Sequence, residues 1–189
     1  MTVQLVRHRF TVEEFRRMAE SRILTEDSRV ELVEGELIEM TPIGSRHAAC
    51  VDRLNRLFSQ RVGETAIVRV QNPIDLGRHS ELQPDLVLAR PRPDFYAGAH
   101  PSPEAILLVV EVAETSAEFD REVKVPLYAQ AGIPEVWLVT LAQRTIAIYR
   151  DPTGAGYQEV RSVGPGEVMS PLALPEIVLS TESVLEGTF

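Results

Sequence analysis

Glu111 stands inside an apolar run, Ile106-Leu-Leu-Val-Val-Glu-Val-Ala113. A strand of that composition is covered on both faces, so the carboxylate leaves water and needs a partner. Taken alone, it fits an edge strand, a structural ion pair or a strand end open to solvent. Asp85 changes the balance. It opens a second short apolar strand, Leu86–Ala89, directly after Pro84, which keeps the preceding residue extended. Two carboxylates on neighbouring strands of one sheet can share a hard divalent cation, because Mg²⁺ takes oxygen ligands and keeps several waters. An isolated Asp at a strand mouth would be only a turn or capping residue.

The third residue is marked by rarity. Of the 19 Lys and Arg side chains, Lys124 is the only lysine. Arg and Lys serve equally on most surfaces and differ where a compact charge with a movable pKa is needed. Asp120, Lys124 and Tyr128 follow at i, i+4 and i+8, one polar stripe on the helix after Glu111, with Val123 and Leu127 expected to face the core. The plainer reading is a surface Asp120–Lys124 pair, worth roughly 0.3–0.5 kcal/mol. A helix packed on the sheet would instead carry the ammonium back to Glu111.

These side chains must be positioned by a mixture of helices and strands. Thr11-Val-Glu-Glu14 is a capping box opening a helix with Phe15 and Met18. Arg29 to Met40 reads as two strands turning at Glu34-Gly35. Ser45 caps a helix to about Val62 with an apolar stripe of Val51, Leu54, Leu57 and Phe58. Ala66 to Val70 and Leu86 to Ala89 are strands, and Arg90 to Pro103 is a proline-rich loop. A helix over Ala117 to Ala131 stops at Gly132, and Val136–Thr140 with Thr145–Tyr149 forms a hairpin. The tail from Asp151, rich in Gly and Pro, reads as irregular edge strands. The fold class is α/β (α+β), a mixed sheet with helices on its faces. Residues 1–189 form a single domain, without repeat or linker.

The formal charge of −9 excludes a broad electrostatic grip on nucleic acid. Any phosphate-facing surface is local, and Arg46, Arg53, Arg56 and Arg61 on one helix are the candidates, against the alternative of an ordinary solvated face. One cysteine, Cys50, excludes an intrachain disulfide and a thiolate zinc cluster. No apolar run approaches the ~20 residues of a membrane span, and MTVQLVRHRF has no apolar stretch behind its basic residues. The expected location is the cytoplasm.

Taken together, ELVEGELIEM, the His47 helix, QPDLVL, LLVVEVAETS with D-x3-K-x3-Y, and GIPEVWLV resemble the Uma-two family of restriction-endonuclease-like proteins. The resemblance runs from about residue 10 to 150, in the family's order and spacing. It implies the PD-(D/E)xK nuclease fold, a mixed four-stranded sheet core between helices, here with an N-terminal helix and β-hairpin. Pro84-Asp85 matches the PD element and Glu111 the second acid. The usual lysine position, two residues on, holds Ala113, and Lys124 resembles the migrated lysine of such families. The resemblance thus implies Asp85, Glu111 and Lys124 as catalytic residues. Asp85 and Glu111, with the Val112 carbonyl, would hold Mg²⁺ or Mn²⁺. Glu31, His47 and Gln83 would position substrate or water. The expected activity is phosphodiester hydrolysis, with DNA the first substrate class and a homodimer implied by analogy. The alternative is a catalytically silent nuclease-fold domain that binds nucleic acid or a protein partner.

Overall fold

A computed structural model describes residues 7–25 and 27–186. The chain opens on helix α1 (Val12–Glu20), where Thr11 Oγ1 accepts from the Glu14 N–H and Glu14 Oε2 accepts from the Thr11 N–H, the expected capping box. Strands β1 (Val30–Val33) and β2 (Glu36–Glu39) pair antiparallel. They turn at Glu34 and Gly35, both with positive φ, the geometry that two-residue hairpins favour. A Cβ on Gly35 would lie 2.6 Å from that of Arg9, so only glycine fits.

Helix α2 (Ser45–Ser59) buries Cys50, Val51, Leu54 and Phe58. Its N-cap is Gly44 rather than the expected Ser45, and no side chain caps it. A Cβ at Gly44 would meet Glu114 Oε2 at 2.5 Å, so a larger residue there would displace the Glu114 side chain. Next come β3 (Ile67–Val70), β4 (Ile74–Asp75), β5 (Glu81–Leu82), β6 (Leu86–Ala89) and β7 (Ile106–Ala113). The helical segment after β7 has three parts: α3 (Ala117–Phe119), a π-helical turn over Asp120–Lys124, and α4 (Val125–Gln130). Strand β8 (Glu135–Thr140) pairs parallel with β7, and β9 (Thr145–Thr153) and β10 (Gly156–Val163) continue antiparallel. A tail of β11 (Val168–Met169), β12 (Leu179–Ser180) and α5 (Thr181–Leu185) closes the described chain.

Six strands form the main sheet in the order β10-β9-β8-β7-β6-β3, and β2-β1-β5-β4 form a second. All eight residues of β7 are buried. Leu108, Val110 and Val112 pack with Leu54 and Phe58 of α2 and Val184 of α5. Val109 packs on the other face with Ile74, Leu82 and Tyr128. Coverage on both faces is why the run is nearly continuous in apolar residues. The sheet is therefore wider than the four strands expected, and β10 is a regular eight-residue strand rather than an irregular one. Among the described residues no helix is long and apolar enough to cross a membrane.

Candidate active site

Asp85 lies one residue before β6, and Leu86 pairs with Val110 across β6 and β7. The register places Asp85 opposite Glu111, on the sheet face that also carries Val87 and Val109. The Asp85 carboxylate is held from three directions. Oδ2 accepts from the Val112 N–H at 2.8 Å and lies 3.0 Å from His47 Nε2, and Oδ1 accepts from Gln71 Nε2 at 3.4 Å. His47, in the first turns of α2, is drawn to Asp85 by a charge-assisted bond. Burial works against its charged form, but Asp85, Glu114 and Asp120 outweigh burial and raise its pKa.

Glu111 is 3% exposed. Its Oε1 accepts from the Tyr128 hydroxyl at 2.5 Å and lies 3.3 Å from Lys124 Nζ. Oε2 accepts no hydrogen bond from the described residues. Burial, opposed by Lys124 and reinforced by Asp85, Asp120 and Glu31, pushes the Glu111 carboxyl up to about 8. Lys124 is itself buried, and its Nζ donates to Glu31 Oε1 at 3.1 Å. Burial alone would depress the ammonium, but Glu111, Glu31 and Asp120 outweigh it and hold the pKa above its ordinary value.

The π turn accounts for this placement. Val125 N–H reaches back five residues to the Asp120 carbonyl, a widened turn of the kind often found at functional sites. Pro126 supplies no N–H, and its ring would collide with the carbonyl four residues back in a regular helix. The wide turn relieves that conflict. Asp120, Lys124 and Tyr128 then all face inward, while Val123 and Leu127 are half-buried and pack against the margin of the core that holds Tyr128. Asp120 is no surface partner of Lys124. Its Oδ2 accepts from Ser116 Oγ at 2.6 Å, and burial raises its pKa.

Glu31 Oε1 also accepts from the Gln83 N–H at 2.7 Å, while Gln83 Nε2 donates to the Gln71 carbonyl at 2.6 Å. The six expected site residues, Glu31, His47, Gln83, Asp85, Glu111 and Lys124, thus line one cavity of about 280 Å³. Gln71, Ser116 and Asp120 join them. Gln71 carried no sequence signal, since its role comes from a left-handed backbone (φ 49°) at the end of β3. Arg53, one of the arginines expected to face phosphate, donates instead to the Val184 carbonyl at 2.9 Å.

Five carboxylates, Glu31, Glu39, Asp85, Glu111 and Asp120, line this cavity against Arg29, Lys124 and His47. That excess of hard oxygen donors suits a divalent cation. The Ala113 carbonyl accepts from Leu141 N–H toward β8, so by alternation Val112 turns its carbonyl toward β6. There it meets Pro84, which has no N–H to donate. Among the described residues no three of His, Cys, Asp or Glu cluster closely enough to enclose an ion by themselves. The donor set that fits is two carboxylates, the Val112 carbonyl and water.

The family described as "Putative restriction endonuclease", Uma2, matches residues 12–182. The chain belongs to the Uma2 family. A crystal structure of a "putative nuclease belonging to DUF820" from Anabaena variabilis ATCC 29413 superposes on this Uma2 chain with a TM-score of 0.77. The two are 18% identical over 95% of this chain and 99% of the other, a likeness of fold. No curated protein matches. The Uma2 sheet, with α2 on one face and α4 with the small sheet on the other, is a restriction-endonuclease-like α+β architecture.

Proposed function

We propose that this Uma2 chain is a divalent-metal-dependent nuclease that hydrolyses phosphodiester bonds, DNA being the first expected substrate. The observation that carries the reading is the pairing of Asp85 and Glu111 across β6 and β7, with the only lysine buried against Glu111. Asp85, Glu111 and the Val112 carbonyl would hold Mg²⁺ or Mn²⁺. The bound ion would lower the pKa of a water and offset charge on the scissile phosphate.

The chain's own groups divide the remaining work. Lys124, its pKa raised, stays an ammonium. Its part is therefore to neutralise negative charge developing on the phosphate and to orient water, rather than to take a proton. Glu31 holds that ammonium beside Glu111. His47 and Gln71 fix the Asp85 carboxylate, so the ligand does not reorient during turnover. Tyr128 orients Glu111 with Oε2 left open.

A catalytically silent domain is the second reading, and the Lys124–Glu111 ion pair favours it, since a lysine can simply neutralise a buried acid. Purified protein assayed on single- and double-stranded DNA and on RNA, with Mg²⁺ or Mn²⁺, separates the two. Cleavage that chelator stops and Asp85→Asn removes, with the melting curve unchanged, supports the nuclease. Cleavage undiminished in Asp85→Asn, or none on any substrate with either metal, sinks it.

A further inference from the structure

The main sheet has two edges, and they differ. Strand β3 is four residues long and half-buried along its length. Strand β10 is eight residues long, and Gln158, Glu159, Val160, Arg161 and Ser162 are consecutively exposed. No proline interrupts it between Gly156 and Val163, and its pairing with β9 is continuous from Glu159 to Val163. Soluble proteins protect long regular edges, because their unpaired N–H and C=O groups template another strand.

The sequence of this edge is chemically palindromic about Val160, with Gln158 and Ser162 outside Glu159 and Arg161. We infer that the outer edge of β10 pairs antiparallel with the same edge of a second copy of this chain, around a two-fold axis at Val160. In that register Glu159 lies opposite the second copy's Arg161, and Arg161 opposite its Glu159, on one face of the joined sheet. Val160, 57% exposed in the single chain, meets its own copy on the other face. Directly opposed residues in an antiparallel pair interact strongly enough for opposite charges to select a register and like charges to forbid one.

The neighbouring registers fail that test. Side chains alternate faces, so a continuous symmetric sheet allows only shifts that keep each residue on its own face. Centring the axis on Glu159 sets glutamate against glutamate, and centring it on Arg161 sets arginine against arginine. Arg161 also reaches Glu167 of its own chain at 3.4 Å, but both side chains are exposed, and such a pair competes weakly. The axis stands perpendicular to the sheet, so both cavities open on the same face. From β6 to its copy there are nine strand steps of about 4.8 Å, about 43 Å along the sheet. The two sites do not share one scissile region, so the pairing is independent of the nuclease reading.

A strand-to-strand interface is small for a dimer, so the test is sedimentation velocity over a dilution series of the full chain. Wild type is expected to show a monomer–dimer equilibrium. Arg161→Glu and Glu159→Arg should each weaken dimerisation about 10-fold or more, and the double variant Glu159→Arg/Arg161→Glu should return it to within about 3-fold of wild type. Melting curves should be alike, because both side chains are exposed. A monomer at every concentration, single variants that dimerise like wild type, or a double variant without rescue would each overturn the inference.

Discussion

Two buried glutamates stand on neighbouring strands of the same sheet and lead different lives. Glu135 of β8 is fully buried, and both its oxygens are occupied. Oε1 accepts from Arg150 at 2.8 and 2.7 Å and from Trp137 Nε1 at 2.9 Å, and Oε2 accepts from the Leu172 N–H at 2.6 Å. Glu111 of β7 has Tyr128 and Lys124 on Oε1 and no donor among the described residues on Oε2, which belongs to the wall of a cavity. Burial of a carboxylate is thus no sign of chemistry by itself. A saturated one ties the tail to the sheet, and a half-saturated one keeps a lone pair available.

The pair can be set against itself by mutation. Glu111→Gln should abolish metal-dependent cleavage, a loss of about 10³-fold or more, with the fold retained, because the amide oxygen can still accept from the Tyr128 hydroxyl. Glu135→Ala should do the opposite. Stripping Arg150 and Trp137 of their acceptor costs about 3 kcal/mol of stability, while the protein that remains folded cleaves normally. Calorimetry and cleavage on the same preparations check both, and a Glu135→Ala protein stable but inactive would dissolve the distinction.

Lys124→Met comes next, lowering turnover about 10²-fold while leaving Mn²⁺ binding intact or tighter, since the ammonium that competes for Glu111 is gone. Titration calorimetry beside the cleavage assay reads both, and full turnover in that variant would reduce Lys124 to a counter-ion. The pH dependence follows from Glu111. Its carboxyl sits near 8 when folded against an ordinary 4.5, so folding takes up a proton between those values. Metal-free protein should therefore keep this contribution at acid pH and lose it as pH rises through about 8. Melting with chelator from about pH 6 to pH 9 should show that decline, and Glu111→Gln should flatten it. Tyr128→Phe is the mildest change. It removes one hydrogen bond to Glu111, about 1 kcal/mol, and should weaken Mn²⁺ binding several-fold with the fold retained. Unchanged Mn²⁺ affinity would show that Tyr128 only fills space.

The strands that carry the acids were legible in the sequence because a sheet buried on both faces leaves uninterrupted apolar residues, and Pro84 marks where β6 begins. Strands β4 and β5 were not, since two residues each are too few to show a period of two. Lys124 could be singled out by its rarity, but its burial could not. The spacing of Asp120, Lys124 and Tyr128 suits a regular helix, and nothing in a hydrophobic period announces a wider turn. Ser45 looked like a cap because its hydroxyl is a good acceptor, whereas the cap is Gly44, whose missing side chain leaves room for Glu114, 70 residues away. Long-range fit of that kind leaves no local trace.

The wide turn at Asp120–Lys124 also limits how this site can change. It carries one residue more than an α-helical turn of the same purpose. Deleting a single residue within it would force a tighter turn that sets the Pro126 ring against the carbonyl four residues back, with Leu127 to Gln130 continuing in place. Everything on the N-terminal side would rotate by roughly 100° about the axis, carrying Asp120 and its Ser116 contact away from the cavity. No point substitution accomplishes that. The geometry around Glu111 is therefore written in the length of the segment as much as in the identity of its residues, and it is lost in one step or kept whole.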